Sequence, residues 1–322
     1  MVYSILRNAA LYSRRSYDKG PEREQHSYVK SDPTQGTKAM VVKSVPVDDM
    51  NIIIFAIRGT QSYKDWAVNW KTAPISPGDF LEDPTNSCHS GFLSVSKNMV
   101  APIAAQLRTL IEEDPGRMDY SLLFTGHSAG GAVASLLYMH MISESPSIQS
   151  ELTHLRGCFR HIHCVTFGTP PISVRPLDCS DVEKERSMFV SFMNEGDPVC
   201  RADKKYFYSL LDLYAHSAPG SLMYSMESEN SPGLHNHWRV PPPSAACAGD
   251  LVLLRDKRWN SSQPSLPRSD SSDLQSPLER GSIEACGITD PELRDVVFGD
   301  PLMHSMDLYC QRIEALLSSE DH

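Results

Sequence analysis

Short, nearly unbroken apolar runs alternate along this chain with stretches in which apolar residues recur every third or fourth position. The runs are Asn51-Ile-Ile-Ile-Phe-Ala-Ile57, Tyr120 to Thr125, His161-Ile-His-Cys-Val-Thr-Phe167, Ser187-Met-Phe-Val-Ser-Phe-Met193 and the short Leu251-Val-Leu-Leu254. Runs of that length without polar alternation read as strands covered on both faces, as in a parallel sheet. Met40 to Val47 adds a strand before the Asp48-Asp49 turn. From Ser90 onward Phe92, Val95, Met99, Ile103, Leu107 and Leu110 repeat at helical spacing. Pro102 lies inside that repeat and predicts either a kink or a start nearer Ala101. Gly131 to Ser143 predicts a buried helix. Leu302 to Leu317 predicts a last one, with Met306, Tyr309, Ile313, Leu316 and Leu317 on one stripe. Tyr63 to Trp70 fits a short amphipathic helix with Trp66 and Trp70 on one face. Strands alternating with helices predict an α/β fold, a mostly parallel central sheet flanked by helices, with ligand chemistry at the carboxyl ends of the strands.

Two stretches fall outside this alternation. The first forty residues are polar and broken by turns at Lys19-Gly-Pro21 and Ser31-Asp-Pro33, so 1–38 is expected to be an irregular N-terminal segment. Between Asp256 and Ser282 serine and proline dominate, and 256–282 is expected to be a disordered insertion because it cannot bury enough apolar surface to order itself. The 322 residues are otherwise expected to form one domain. A net charge of -10 excludes nucleic acid as a main partner. Met1 to Arg7 is too brief an apolar stretch for a signal peptide, and Ala132 to Ile142 is too short to cross a membrane. The eight scattered cysteines then read as reduced thiols, and the chain as intracellular and cytoplasmic. On the same ground the sequon Asn260-Ser-Ser262 reads as accidental.

The chemistry centres on Gly126-His127-Ser128-Ala129-Gly130, which fits G-x-S-x-G between a strand and a helix. In such an elbow a strained turn lifts a serine nucleophile, and the flanking glycines leave room where the two backbones crowd. The bare pattern is weak, since a chance match occurs about once in ten chains of this length. A serine hydroxyl needs a base, and the base an orienting acid. On this elbow the order is serine, acid, histidine. Asp197 sits just past a buried strand in a Gly-Pro turn, whereas Asp178, Asp181 and Asp203 lie in polar surroundings. The histidines that follow are His216, His235, His237, His304 and His322. Position alone puts His304, heading the last helix, only slightly ahead of His237. Arg58-Gly59-Thr60 ends an earlier strand, so Thr60 can share an oxyanion hole with the Ala129 N–H.

The blocks Ile57-Arg-Gly-Thr60, Asp65-Trp66, Cys88-His-Ser-Gly-Phe92, Phe124-Thr-Gly-His-Ser-Ala-Gly-Gly131, Thr166-Phe-Gly-Thr-Pro170, Asn194-Glu-Gly-Asp-Pro-Val199, Val252-Leu-Leu-Arg-Asp256 and His304-Ser-Met-Asp-Leu-Tyr309 run in one order. In that order the chain resembles the class 3, fungal-type lipases of the α/β-hydrolase fold, and within them an intracellular fungal lipase-like branch. The resemblance implies a serine hydrolase of lipid esters, with Ser128 as nucleophile, Asp197 as acid and His304 as base. It implies an oxyanion hole of Thr60 and Ala129, with Asn69 and His127 supporting. Tyr63 to Trp70 falls where related lipases carry a lid, which makes Trp66 and Trp70 lid candidates. No cofactor or metal is implied. The implied partners are a lipid or ester substrate and transient contact with a membrane or lipid-droplet surface. Ala129 replaces the leucine common after the serine, and 205–245, where relatives shape the acyl pocket, matches poorly. Two other readings share these residues: a lipase-like scaffold without catalysis, and an acyltransferase using the same site.

Overall fold

In the computed structural model the isoleucine run becomes a strand buried along its whole length, and the sheet grows outward from it. The structure describes residues 2–18, 26–44, 50–60, 73–202, 204–216, 241, 244–257 and 282–318. Their strands are β1 (His26–Val29), β2 (Met40–Lys43), β3 (Ile52–Ile57), β4 (Pro74–Ile75) and β5 (Cys88–His89). After these come β6 (Ser121–His127), β7 (Ile162–Phe167), β8 (Phe189–Asn194), β9 (Asp250–Asp256) and β10 (Ile283–Ile288). One sheet takes the order β1-β2-β3-β6-β7-β8-β9-β10, and β4 with β5 makes a separate ribbon. From β3 to β9 neighbouring strands are parallel, and the pairs at either edge are antiparallel. The helices are α1 (Val2–Arg15), α2 (Ser90–Glu113), α3 (Ala129–Ile142), α4 (Asp181–Lys184), α5 (Lys204–His216), α6 (Asp290–Asp295) and α7 (Met306–Leu317).

Strand β3 shows why there are three layers. Its residues alternate between faces. Ile53, Phe55 and Ile57 pack in a core with Ile103 and Leu107 of α2 and Val133 and Leu137 of α3. Ile52, Ile54 and Ala56 pack in a second core with Ile5, Leu6 and Ala9 of α1 and Tyr309 and Ile313 of α7. The sheet is thus covered on both sides, as its unbroken apolar strands require. Helix α3 lies buried on nearly every side, and no helix among the described residues is long and apolar enough to cross a membrane. All eight cysteines are free.

The structure corrects several expectations. The segment 1–38 is not irregular throughout: it supplies α1 and β1. The inward face of α1 is Ile5, Leu6, Ala9, Ala10, Tyr12 and Ser13, a stripe at helical spacing made partly of small residues of low hydropathy. Helix α2 starts at Ser90 despite Pro102, with His89 capping it through an acceptor bond from the Phe92 N–H. Strand β9 is not the last, because β10 returns antiparallel beside it. The insertion expected over 256–282 leaves and re-enters at this hairpin, where the Lys257 N–H donates to the Ser282 carbonyl at 2.8 Å. Residues 258–281, Asn260 among them, lie outside the described residues.

Candidate active site

The central strands deliver three turns to one end of the sheet. Strand β6 ends at His127 and α3 begins at Ala129, leaving Ser128 alone between them at φ 58°, ψ -133°. It is the only non-glycine residue with positive φ among the described residues. Such a conformation costs on the order of 1–3 kcal/mol and persists only where the surroundings impose it. Here they do. A Cβ on Gly126 would lie 2.5 Å from the Gly130 carbonyl carbon, and one on Gly130 would lie 2.1 Å from the Ile57 oxygen. The strand, the helix and the end of β3 meet too closely for any side chain, which is the physical content of G-x-S-x-G.

Asp197 follows β8 and caps the short turn Pro198–Arg201. It is fully buried, and both its oxygens are occupied. Oδ1 accepts from the Val199 N–H at 2.8 Å, while Oδ2 accepts from His304 Nδ1 at 2.9 Å and from the Tyr309 hydroxyl at 2.7 Å. Burial alone would push this carboxyl up. The charge of His304 and the hydrogen bonds from His304, Tyr309 and Val199 outweigh it and hold the group below the usual aspartate value. Asp197 is therefore an acceptor and His304 Nδ1 its donor, an arrangement that in the neutral ring leaves the lone pair on Nε2. His304 closes the turn Pro301–His304 just ahead of α7, rather than opening the helix itself.

Ser128 reaches this pair through its neighbours. His127 Nε2 lies 2.9 Å from the His304 carbonyl, and the two rings stand 4.4 Å apart. Ser128 Oγ is not hydrogen-bonded to His304 in this structure. Such bonds are commonly long in ligand-free sites and shorten around a substrate. The turn Arg58–Thr60 packs onto the elbow, where a Cβ on Gly59 would meet Ser128 Cβ at 3.3 Å. Thr60 is half-buried there. Ala129 is the first residue of α3, so its N–H has no partner within the helix.

Asn69, Trp66 and Trp70 lie outside the described residues, as do His235, His237, His322 and Asp203. His216 ends α5, and Asp178 is tied to Lys184. Reading the sequence missed the supporting layer. Tyr309 belongs by spacing to the apolar stripe of the last helix, yet its hydroxyl donates to Asp197 and accepts from the Asn194 N–H at 2.9 Å. Asn194 Nδ2 donates to the Met303 carbonyl at 2.8 Å, and buried Arg312 donates to Asn194 Oδ1 at 3.2 Å and to the Leu254 carbonyl at 2.9 Å. Tyr17, in the turn that follows α1, bonds His127 Nδ1 at 2.9 Å. The spacing of Tyr309 five residues past His304 was the one available signal for this layer.

Residues 54–207 match the family model of the class 3 lipases. Among curated proteins the chain is similar to Lipase A of Sodiomyces alcalophilus, with 25% identity over 256 residues, which is 72% of this chain and 55% of that protein. The chain thus spans about half the length of that relative. Among solved structures it is similar in fold to the triacylglyceride lipase of Rhizomucor miehei, with a TM-score of 0.51 and 16% identity over 94% of this chain and 92% of the other. A triacylglycerol lipase described as having a serine protease triad at its catalytic centre matches with a TM-score of 0.50 and 16% identity, covering 94% of this chain and 91% of its own. Residues 54–207 are thus similar to the class 3 lipases, and the chain as a whole shares the α/β-hydrolase fold of the solved lipases.

Proposed function

We propose that the protein is a serine hydrolase of lipid carboxylic esters, with Ser128, His304 and Asp197 as its triad. The observation that carries this reading is the Asp197–His304 hydrogen bond of 2.9 Å at the same sheet end as a serine held at φ 58°. Ser128 Oγ attacks the ester carbonyl as His304 Nε2 takes its proton. Asp197 fixes the ring tautomer and stabilises the imidazolium that forms. The Ala129 N–H and Thr60 face the oxyanion, a contribution of about 3–4 kcal/mol per donor in well-built sites. His304 then protonates the leaving alcohol, and water repeats the sequence on the acyl-enzyme. The steps use no metal or cofactor.

The lipid assignment rests on the family and on relatives named as triacylglycerol lipases. A panel of mono-, di- and triacylglycerols and p-nitrophenyl esters tests it, with Ser128→Ala as the control and a fluorophosphonate probe as the label. Hydrolysis and labelling are both expected in the wild type and lost in the variant. A wild type that takes no label and cleaves no ester would overturn catalysis in favour of a scaffold.

A further inference from the structure

Helix α1 lies outside the residues that match the family model, yet the turn that follows it reaches the site. Tyr17 is mostly buried, its hydroxyl lies 2.9 Å from His127 Nδ1, and its ring meets the imidazole edge-on at 5.7 Å. On the other side of the ring, His127 Nε2 lies 2.9 Å from the carbonyl oxygen of His304. These two contacts fix the protons without ambiguity. A carbonyl oxygen only accepts, so His127 Nε2 must carry a hydrogen and donate it. If the ring is neutral, Nδ1 then holds the lone pair, and the Tyr17 hydroxyl must donate to it.

The ring is neutral. His127 is almost wholly buried, and burial with the neighbouring charge of His304 brings it down to about 3, against partial opposition from Asp197. Tyr17 stays a phenol, since burial pushes it well above its ordinary value. The arrangement also leaves no slack. A Cβ on Gly59 would fall 2.2 Å from the Tyr17 oxygen and 2.5 Å from the His127 carbonyl oxygen, so the turn bearing Thr60 closes directly over the pair. Arg58 covers the far side of Tyr17, its guanidinium carbon 5.9 Å from the ring centroid.

We infer that Tyr17 is a positioning residue for the base: its O–H···Nδ1 bond locks His127 as the Nε2–H tautomer, and that N–H anchors the backbone of His304 beside the nucleophile. The relay runs Tyr17 O–H to His127 Nδ1, then His127 Nε2–H to the His304 carbonyl. No proton moves along it. It orients a ring whose hydrogen bond goes to the peptide of the base and whose face packs against the base's imidazole at 4.4 Å, so it acts by positioning His304. The inference rests on the reading of His304 as base and extends it to a helix remote in sequence.

The test combines a spectroscopic readout with a mutant cycle. In the full-length wild type, nitrogen-15 shifts of histidine-labelled protein should show His127 with a protonated Nε2 and an unprotonated, hydrogen-bonded Nδ1. In Tyr17→Phe the Nδ1 signal should move toward the value of a free imine nitrogen. Finding His127 protonated at Nδ1 in the wild type would overturn the relay, whatever any variant does. On p-nitrophenyl butyrate, Tyr17→Phe should lower kcat about tenfold with KM little changed, the size expected for one misplaced hydrogen bond near the reacting group. His127→Gln places an amide nitrogen near the Nε2 position and can still donate to the His304 carbonyl but offers Tyr17 no ring nitrogen, so adding Tyr17→Phe to it should change kcat by less than about twofold. Equal losses in both backgrounds would show that Tyr17 acts only as general packing. Ser128→Ala run in parallel separates the two claims: if it keeps full activity the nucleophile assignment fails, whereas a dead Ser128→Ala beside an unaffected Tyr17→Phe rejects the relay alone.

Discussion

Replacing Gly168 by alanine should damage catalysis more than it damages the fold. Gly168 follows β7 with φ 55°, and a Cβ built there would lie 3.0 Å from Asp197 Oδ2 and 3.1 Å from both Cε1 and Nδ1 of His304. The left-handed backbone costs an alanine about 1–2 kcal/mol, or roughly 2–6 °C in Tm for a chain of this size. The methyl group adds a local demand: the carboxylate and the imidazole must give way by a few tenths of an ångström. Asp197 has little freedom, because Val199 and Tyr309 hold its two oxygens, so the displacement falls on its bond to His304. A misplacement of about 1 Å can cost on the order of a hundredfold, so about a tenfold fall in kcat is expected here. Gly249→Ala supplies the control. Its φ is 71° and its Cβ would lie 2.7 Å from the Phe189 oxygen, but this is the start of β8 and β9, the end of the sheet away from Asp197. Tm by differential scanning fluorimetry and kcat on p-nitrophenyl butyrate, per folded molecule, should separate the two: Gly249→Ala loses stability and keeps kcat, while Gly168→Ala loses kcat. Wild-type kcat in Gly168→Ala, or equal losses in both, would refute the reasoning.

Tyr309→Phe removes a donor to Asp197 and should lower kcat about tenfold, with urea denaturation below pH 4 starting at a higher pH than in the wild type. The sign follows from linkage: Asp197 is depressed in the folded state, so its contribution is complete above about pH 4 and is lost as pH falls through the folded value, which the variant raises. Buried histidines act in a higher window. His127 and His163 are held near about 3 and about 4, chiefly by burial, so each takes up a proton on unfolding below about pH 6.5. Stability should therefore fall by about 1.4 kcal/mol per pH unit per group between pH 6 and 5, and His163→Gln should reduce the slope of the urea midpoint. A flat midpoint over that range contradicts the burial of these rings. On α1, Arg7→Ala should change stability by less than about 1 kcal/mol, because its ion pair with Glu314 is half exposed. Ile5→Ala should cost about 2–4 kcal/mol in the same denaturation assay, because its side chain is packed between α1 and the sheet.

The parts of the fold that could be read in the sequence are those buried on both sides. Strands β3, β6, β7 and β8 announce themselves because both faces must be apolar, and the elbow because only glycine fits where three backbones meet. The edges carried no such mark. In β10 only Ile283 is buried and the rest alternates between half-buried and exposed, so its identity comes from pairing with β9 and not from its own residues. Helix α1 was hidden for a different reason. Its inward stripe relies on Ala9, Ala10 and Ser13, which pack closely without raising hydropathy, and its stability comes from docking onto α7 and the sheet. The candidate site divides in the same way. Ser128 and Asp197 stand at strand ends, where position argues for chemistry, whereas position leaves His304 barely ahead of His237 and the ordered blocks of the resemblance single it out. Tyr17, Asn194, Tyr309 and Arg312 reach the site through side chains whose partners lie up to 118 residues away, and no local pattern encodes such a partner.

The pairing of the first helix with the last has a consequence for the order of events on the ribosome. Arg14 and Asp307 meet across 293 residues, an interval of synthesis of about 15–60 s at ordinary elongation rates. During that interval α1 has its apolar stripe and no helix to lay it against, while the elbow and Asp197 already have the strands that hold them. Tyr17 is made before that interval is well begun and His304 only as it closes. The candidate site is then completed by the same late docking that closes the second core, so a nascent chain holds Ser128, the proposed nucleophile, long before it holds His304, the proposed base. On the proposed roles, a chain built this way stays inert until α7 has been made.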